Sequence, residues 1–221
     1  MTYARDERLA VAVLLSEVGP GAPTLCAGWQ AKDLAAHLVL RERRPDAGLG
    51  VLGGPLAGHT RRVQDRLAMR TPFPQLIEMI RTGPPRLSVF ALPGADAQAN
   101  SVEYFVHHED IRRAQPGWEP RELDPGMSEL LWKRLRMARL ILRRAPVGVE
   151  LARDDDPGRD GRGTDGPLRI TAKARAPMVT VSGTPAELTM WAFGRDGTAR
   201  VRMEGSAPDI AALSSAGWRS H

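Results

Sequence analysis

The chain of 221 residues exceeds one average domain and falls short of two large ones, which fits one good-sized core with a small satellite. With 42% hydrophobic and 26% charged residues it has ordinary globular composition, which argues against disorder and against a membrane protein, and no apolar run approaches the ~18 residues of a membrane-crossing helix. The net charge of +5 is spread along the chain and carried almost wholly by Arg, with only Lys32, Lys133 and Lys173 as lysines, so it reads as the background of high-GC codon usage and not as a nucleic-acid patch.

The opening MTYARDERLA carries acidic charge where a signal peptide needs an apolar run, and the single cysteine, Cys26, forms no internal disulfide. Both features point to the cytosol. Cys26 reads either as a nucleophile or as a small buried hydrophobe, and its neighbours Leu25, Ala27 and Trp29 favour the second.

Residues 3–18 predict a first helix on an apolar stripe of Leu9, Val11, Val13, Leu14, Leu15 and Val18, stopped by Gly19, Pro20 and Gly21. A second amphipathic helix is expected from Gln30 to Arg44, ended by Pro45. A third pattern, Leu56, Val63 and Leu67, follows Gly53, Gly54 and Pro55; Pro72 and Pro74 interrupt it, and it resumes through Leu76, Ile77 and Ile80. A loop opens at Gly83, Pro84 and Pro85, with Pro93 and Gly94 inside it. A helix from Asn100 or Ser101 to Ala114 comes next, and Asp124 and Pro125 cap a long helix to Arg144 carrying Leu131, Leu135, Ala138 and Leu142.

After Pro146 the pattern changes to short alternating strands: Val147 to Leu151, Leu168 to Ala172, Val179 to Ser182 and Arg200 to Met203. An acidic, Gly-rich stretch from Asp154 to Pro167 separates the first two. Helices are expected from Thr184 to Phe193, with Thr184 as cap, and from Pro208 to Ala216. The expected fold class is α+β: a helical bundle over residues 1–145 and a small α+β module over 146–221, packed on the bundle.

Chemistry concentrates on two helices. Leu34, His37, Leu38 and Arg41 fall at i, i+3, i+4 and i+7, placing His37 on an inward face. Glu103, His107 and Asp110 form one stripe among Val102, Phe105, Val106 and Ile111. A carboxylate and an imidazole one turn apart on an apolar helix cost several kcal/mol of desolvation unless paired or bound to metal. His37, Glu103 and His107 would make an open three-ligand site for one divalent ion; by spacing alone this stands even with a buried Glu–His hydrogen bond. The paired Glu-x-x-His motifs of a dinuclear bundle and the His-Glu-x-x-His of zinc proteases are absent.

Gly28-Trp29 with Asp33-Leu34-Ala35-Ala36-His37-Leu38, and Glu103-Tyr104-Phe105-Val106-His107-His108-Glu109-Asp110, resemble the mycothiol-dependent maleylpyruvate isomerase family, and more closely its small actinobacterial metal-binding relatives, within the DinB-like four-helix bundles. The resemblance spans residues 3–145; the remainder resembles the family's sterol-carrier-like C-terminal module. It implies a divalent ion, zinc above others, on His37, Glu103 and His107, with mycothiol as thiol cofactor, a small electrophile as substrate, and isomerase or S-transferase activity. Nucleic acid and membrane are not expected partners, and the chain is expected as monomer or homodimer.

Other residues receive roles by position. Arg41, one turn beyond His37, is the candidate for a carboxylate or for the thiol cofactor's polar groups. Asp110 is expected either to orient a ligand imidazole or to pair with Arg113. His59 reads as a pocket residue, a fourth ligand or polar surface; His108 and Glu109 should turn partly away from the metal, Arg112 and Arg113 are expected as surface or interdomain charges, and Trp29 as an anchor for the helix start. The competing functions are a metal- and thiol-dependent enzyme, a non-catalytic metal-binding or small-ligand-binding protein, and a lipid carrier built on the C-terminal module.

Overall fold

The computed structural model describes residues 2–43, 57–85, 95–155 and 168–215, with side chains from Asn100 onward in the third stretch. Several expected features lie outside these residues: the Pro45 helix stop, Gly53, Gly54, Pro55 and Leu56, the loop prolines and glycines at 93 and 94, most of the acidic Gly-rich stretch, and the end of the last helix at Ala216. The described chain is mixed α+β and divides into two compact units, Met1–Pro120 and Arg121–His221.

The first unit is helical. Helix α1 (Tyr3–Val18) ends where Gly19 adopts a φ of 82° and donates its N–H to the Leu15 carbonyl. That left-handed conformation is one a side chain resists, which explains the glycine. The buried face of α1 is Ala4, Glu7, Arg8, Val11, Ala12 and Leu15, an i, i+3, i+4, i+7 stripe. Leu9 and Val13 of the expected stripe lie outside it, exposed at 37% and 53%. The inner face instead carries two charged residues.

Those charges are matched across the core. Arg8 donates from Nη2 to Glu42 Oε1 at 2.7 Å, Asn100 Nδ2 adds a contact at 3.4 Å, and the Arg8 guanidinium lies 4.9 Å from the Tyr104 ring centroid. On the same helix face, Glu7 Oε2 meets His108 Nδ1 at 2.7 Å. Breaking a buried pair of this kind strands a charge and typically costs about 3–5 kcal/mol.

Helix α2 (Ala31–Arg43) is not amphipathic in the expected sense. Nine of its residues, Ala31, Leu34 through Leu40 and Glu42, are buried, so it runs through the interior and not along a surface. Helix α3 (Ala57–Arg70) and helix α4 (Phe73–Thr82) pack on it, α4 also on α1, and α5 (Ala95–Arg112) lies along α1. Helix α5 begins before the expected Asn100. Val11, Leu15, Leu34, Leu38, Phe73, Leu76, Ile80, Tyr104 and Ile111 belong to the shared core.

In the second unit the expected long helix is broken. Helix α6 (Pro125–Arg134) opens with Asp124 accepting from the Gly126 and Met127 N–H groups, a 3-10 turn spans Leu135–Met137, and α7 (Ala138–Leu142) follows. Trp132, Leu135, Ala138 and Leu142 share a core with Val149, Leu151, Val179, Val181 and Trp191. The helix expected to close the bundle therefore belongs with the strands, and the division falls at residue 120 where the sequence suggested 145.

The sheet has the order β2-β1-β3-β4, with β1 (Gly148–Arg153), β2 (Arg169–Lys173), β3 (Met178–Gly183) and β4 (Arg202–Glu204). Strands β1 and β3 are parallel, with Val149 opposite Val179 and Leu151 opposite Val181; the outer pairs are antiparallel. Helix α8 (Pro185–Ala192) is capped by Thr184, which accepts from Glu187 N–H, and is buried along its whole length. Helix α9 (Ala207–Ser215) completes the described chain.

Gly148 opens β1 where the backbone of Arg175 approaches: a Cβ at this position would lie 1.8 Å from the Arg175 carbonyl oxygen. Gly148→Ala should therefore force the 174–177 turn away from β1, with a loss of about 1–3 kcal/mol or more measured by chemical denaturation. An unchanged midpoint would show that the turn yields freely.

Candidate metal centre

Helices α2, α3 and α5, with the loop before α2, place the polar groups of the site. Three of the sequence-expected residues come together: His37 Nε2 lies 3.3 Å and His107 Nε2 3.0 Å from the same oxygen, Glu103 Oε1. Their donor atoms all lie within 4.8 Å of one another. The imidazole centroids are 5.1 Å apart at an interplanar angle of 73°, so the two rings meet edge to face with their Nε2 atoms converging.

The opposite nitrogen of each ring is also held. His37 Nδ1 is 3.2 Å from Gln64 Oε1 on α3, and His107 Nδ1 donates to Asp110 Oδ2 at 2.9 Å. Asp110 is fully buried and, as a carboxylate, only accepts, which fixes the donor side of that bond. Both rings are thus oriented from behind, the arrangement that steers an imidazole's other nitrogen toward a ligand position. Trp29 packs 5.0 Å from His37, ring to ring, as well as against the core beside the helix start.

Arg41 shares this point of convergence. Its Nη1 lies 3.1 Å from Glu103 Oε1 and 3.5 Å from Asn100 Oδ1. The residue expected to meet a thiol cofactor is thus a neighbour of the carboxylate itself. Asn100 also reaches Glu42, so a chain of polar contacts runs from Arg8 through Glu42, Asn100 and Arg41 to Glu103.

The titration of the three groups follows from these partners. Burial lowers the His37 pKa, against the opposing hydrogen bond to Glu103. Burial alone would raise Glu103, but the hydrogen bonds from His107 and His37, with the charges of His107 and Arg41, hold it well below the usual carboxylate range. Burial likewise opposes protonation of His107, and the bonds to Asp110, Cys26 and Glu103 outweigh it, holding the imidazole well above its ordinary value. The protein's own charges therefore favour an imidazolium at His107 beside an ionised Glu103.

The donor set also fits a divalent ion. Two imidazole nitrogens and one carboxylate oxygen are a common zinc set, and bonds of about 2.0 Å at tetrahedral angles put neighbouring donors about 3.3 Å apart, close to the observed 3.3 and 3.0 Å. Binding would displace the proton that His107 otherwise holds at Nε2.

The remaining expected residues are placed as follows. Asp110 bonds to His107 at 2.9 Å, the orienting role expected of it, and Arg113 bonds to Glu109 at 2.7 Å. Arg113 is buried and stacks 4.8 Å from the Trp118 ring, so it is not the surface charge the sequence suggested, and Arg112 also reaches Glu109. His108 turns from the triad to Glu7. His59 is exposed and does not belong to the cluster.

Two participants were not legible. Gln64 was not singled out, since a lone glutamine between Val63 and Leu67 carries no motif. Cys26 was read as apolar filler, yet its Sγ lies 3.2 Å from Asp110 Oδ2 and 4.0 Å from His107 Nδ1. The contact depends on the loop after α1 being tied to α5 by the Leu25 N–H to Asp110 carbonyl bond, which nothing in the local sequence announces.

Compared with protein-family models, with curated proteins and with solved structures, the chain matches none.

Asp110→Ala removes the acceptor of two donors, the buried His107 Nδ1–H and the half-buried Cys26 thiol. A loss of about 1–3 kcal/mol in urea denaturation is expected; a neutral substitution would mean that both donors find other partners.

Proposed function

We propose that the helical unit binds one divalent metal ion, zinc being the best fit, through His37, Glu103 and His107, and that the ion serves a thiol-dependent isomerase or S-transferase reaction on a small electrophile. The observation that carries the metal reading is the convergence of both Nε2 atoms on Glu103 Oε1 while Gln64 and Asp110 hold both Nδ1 atoms from behind. A hydrogen-bonded Glu–His pair alone gives no reason for a second imidazole to be aimed at the same oxygen.

The resemblance to mycothiol-dependent maleylpyruvate isomerases supplies the rest of the reading: a DinB-like bundle for the first unit, a sterol-carrier-like module for the second, and mycothiol as cofactor. A bound zinc-like ion would stabilise a thiolate at neutral pH. Around it, Asp110 and Gln64 orient the two imidazoles, Trp29 shields His37, and Arg41 supplies a cation for an anionic group of the thiol or substrate.

A second reading is a metal-binding protein without catalysis, favoured by one observation: Arg41 already contacts the Glu103 oxygen that the ion would use, at 3.1 Å. A guanidinium this close opposes a dication unless it moves aside, and a site held shut by it serves retention or structure better than turnover.

Elemental analysis of the purified protein should find one zinc per chain, lost in His37→Ala, and calorimetric titration of the loaded protein should show mycothiol binding. Metal without thiol affinity would move the assignment to the non-catalytic reading; no metal in the wild type would leave the Glu–His hydrogen bonds as the whole explanation. Gln64→Ala should keep the ion but bind it about 10–100-fold more weakly in chelator competition, the usual effect of losing a group that orients a ligand imidazole.

A further inference from the structure

Cys26, His107 and Asp110 form a second cluster with metal-ligand chemistry, on the opposite side of the His107 ring from His37 and Glu103. It differs from the first in containing sulfur. We propose that these three residues form a distinct site for a thiophilic metal ion, with Cys26 Sγ, His107 Nδ1 and Asp110 Oδ2 as ligands.

The three donor atoms are already close. Sγ is 3.2 Å from Oδ2 and 4.0 Å from Nδ1, and Nδ1 is 2.9 Å from Oδ2. A metal–sulfur bond of about 2.3 Å and metal–nitrogen or metal–oxygen bonds of about 2.0 Å give donor separations of about 3.3–3.6 Å at tetrahedral angles. Shifts of a few tenths of an ångström suffice. The scaffold on both sides is fixed: His107 and Asp110 sit one turn apart on α5, and the Cys26 loop is tied by Leu25 N–H to the Asp110 carbonyl and by Thr24 Oγ1 to the Trp29 carbonyl and the Cys26 N–H. Cys26 is only half-buried, which gives an ion a path from solvent, whereas Asp110 lies fully buried beneath it.

Binding would release two protons to solvent, one from the Cys26 thiol and one from His107 Nδ1, as each becomes a ligand. A thiolate ligand shifts preference toward soft ions such as cadmium or copper(I), while the first set, with nitrogen and oxygen donors only, suits harder borderline ions. The sites share one imidazole through opposite nitrogens. A neutral ring has one lone pair: with the ion at Nδ1, Nε2 keeps its proton and donates to Glu103 Oε1 at the observed 3.0 Å, so the two sites use His107 one at a time. The sulfur site does not require the first to hold an ion.

The test is a cadmium titration followed by thiolate-to-metal absorption in the near ultraviolet, which in this chain reports on its one cysteine. The band should develop with one cadmium in the wild type and in His37→Ala, be absent in Cys26→Ser, and require at least tenfold more cadmium in Asp110→Ala; Asp110→Asn serves the same comparison if the alanine variant fails to fold. No band in the wild type, or equal cadmium affinity without Asp110, would overturn the proposal, the second outcome marking the thiol as binding alone. Zinc retention lost in His37→Ala, with the cadmium band intact, separates this site from the first.

Discussion

The helical unit depends on pairing the carboxylates it buries. Glu42, Glu109 and Asp110 are at most 3% exposed, and a carboxylate without compensating donors would be neutralised or expelled from such a position. Each has partners from the protein: Glu42 the guanidinium of Arg8, Glu109 those of Arg112 and Arg113, Asp110 the His107 imidazole and the Cys26 thiol. These pairs join α1 to α2, α5 to its own C-terminal turn, and α5 to the loop before α2. Buried ion pairs fix the helix register in addition to the close-packed apolar core, because a one-turn slip leaves charges unmatched.

The candidate centre is where this pairing is least exclusive. Glu103 is contacted by three cationic or cation-capable groups through one oxygen, whereas Glu42 and Glu109 have partners that leave little for an ion to do. Arg41 and the two imidazoles compete for the same lone pairs. An ion that replaced the proton between His107 and Glu103 would relieve that competition, and the polar chain through Asn100 offers Arg41 another acceptor when it yields.

Much of the architecture was legible because local chemistry and tertiary structure agree. Asp124 with Pro125, and Thr184 with Pro185, place two helix starts to the residue; the alternation of Val147 to Leu151 and Val179 to Ser182 gives the two central strands within two residues at either end. The inward stripe of Glu103, His107 and Asp110 was readable from helical spacing; the meeting with His37 was expected from the family resemblance, since spacing within one helix does not say which residue of another helix lies opposite. The failures share a cause. Leu9 and Val13 look like core by hydropathy, but the inner face of α1 is chosen by where Arg8 can reach Glu42, a contact between residues 34 apart in sequence. Likewise, residues 125–142 have the periodicity of a bundle helix, and periodicity does not say whether a helix face is covered by other helices or by a sheet. Gln64 and Cys26 matter only through partners on other elements.

Among the described residues the sheet order leaves β2 and β4 as the outer strands, and open strand edges invite a second chain to add on. Here the outermost backbone is poorly suited to that. Strand β4 is only three residues long and carries Arg202 and Glu204 at its ends, while the outward positions of β2 are Arg169 and Thr171, followed by Lys173. A chain approaching either rim must desolvate charge before it can form a ladder, so the second unit carries a built-in resistance to edge-to-edge aggregation that its apolar centre, Val149 to Val181, would not provide.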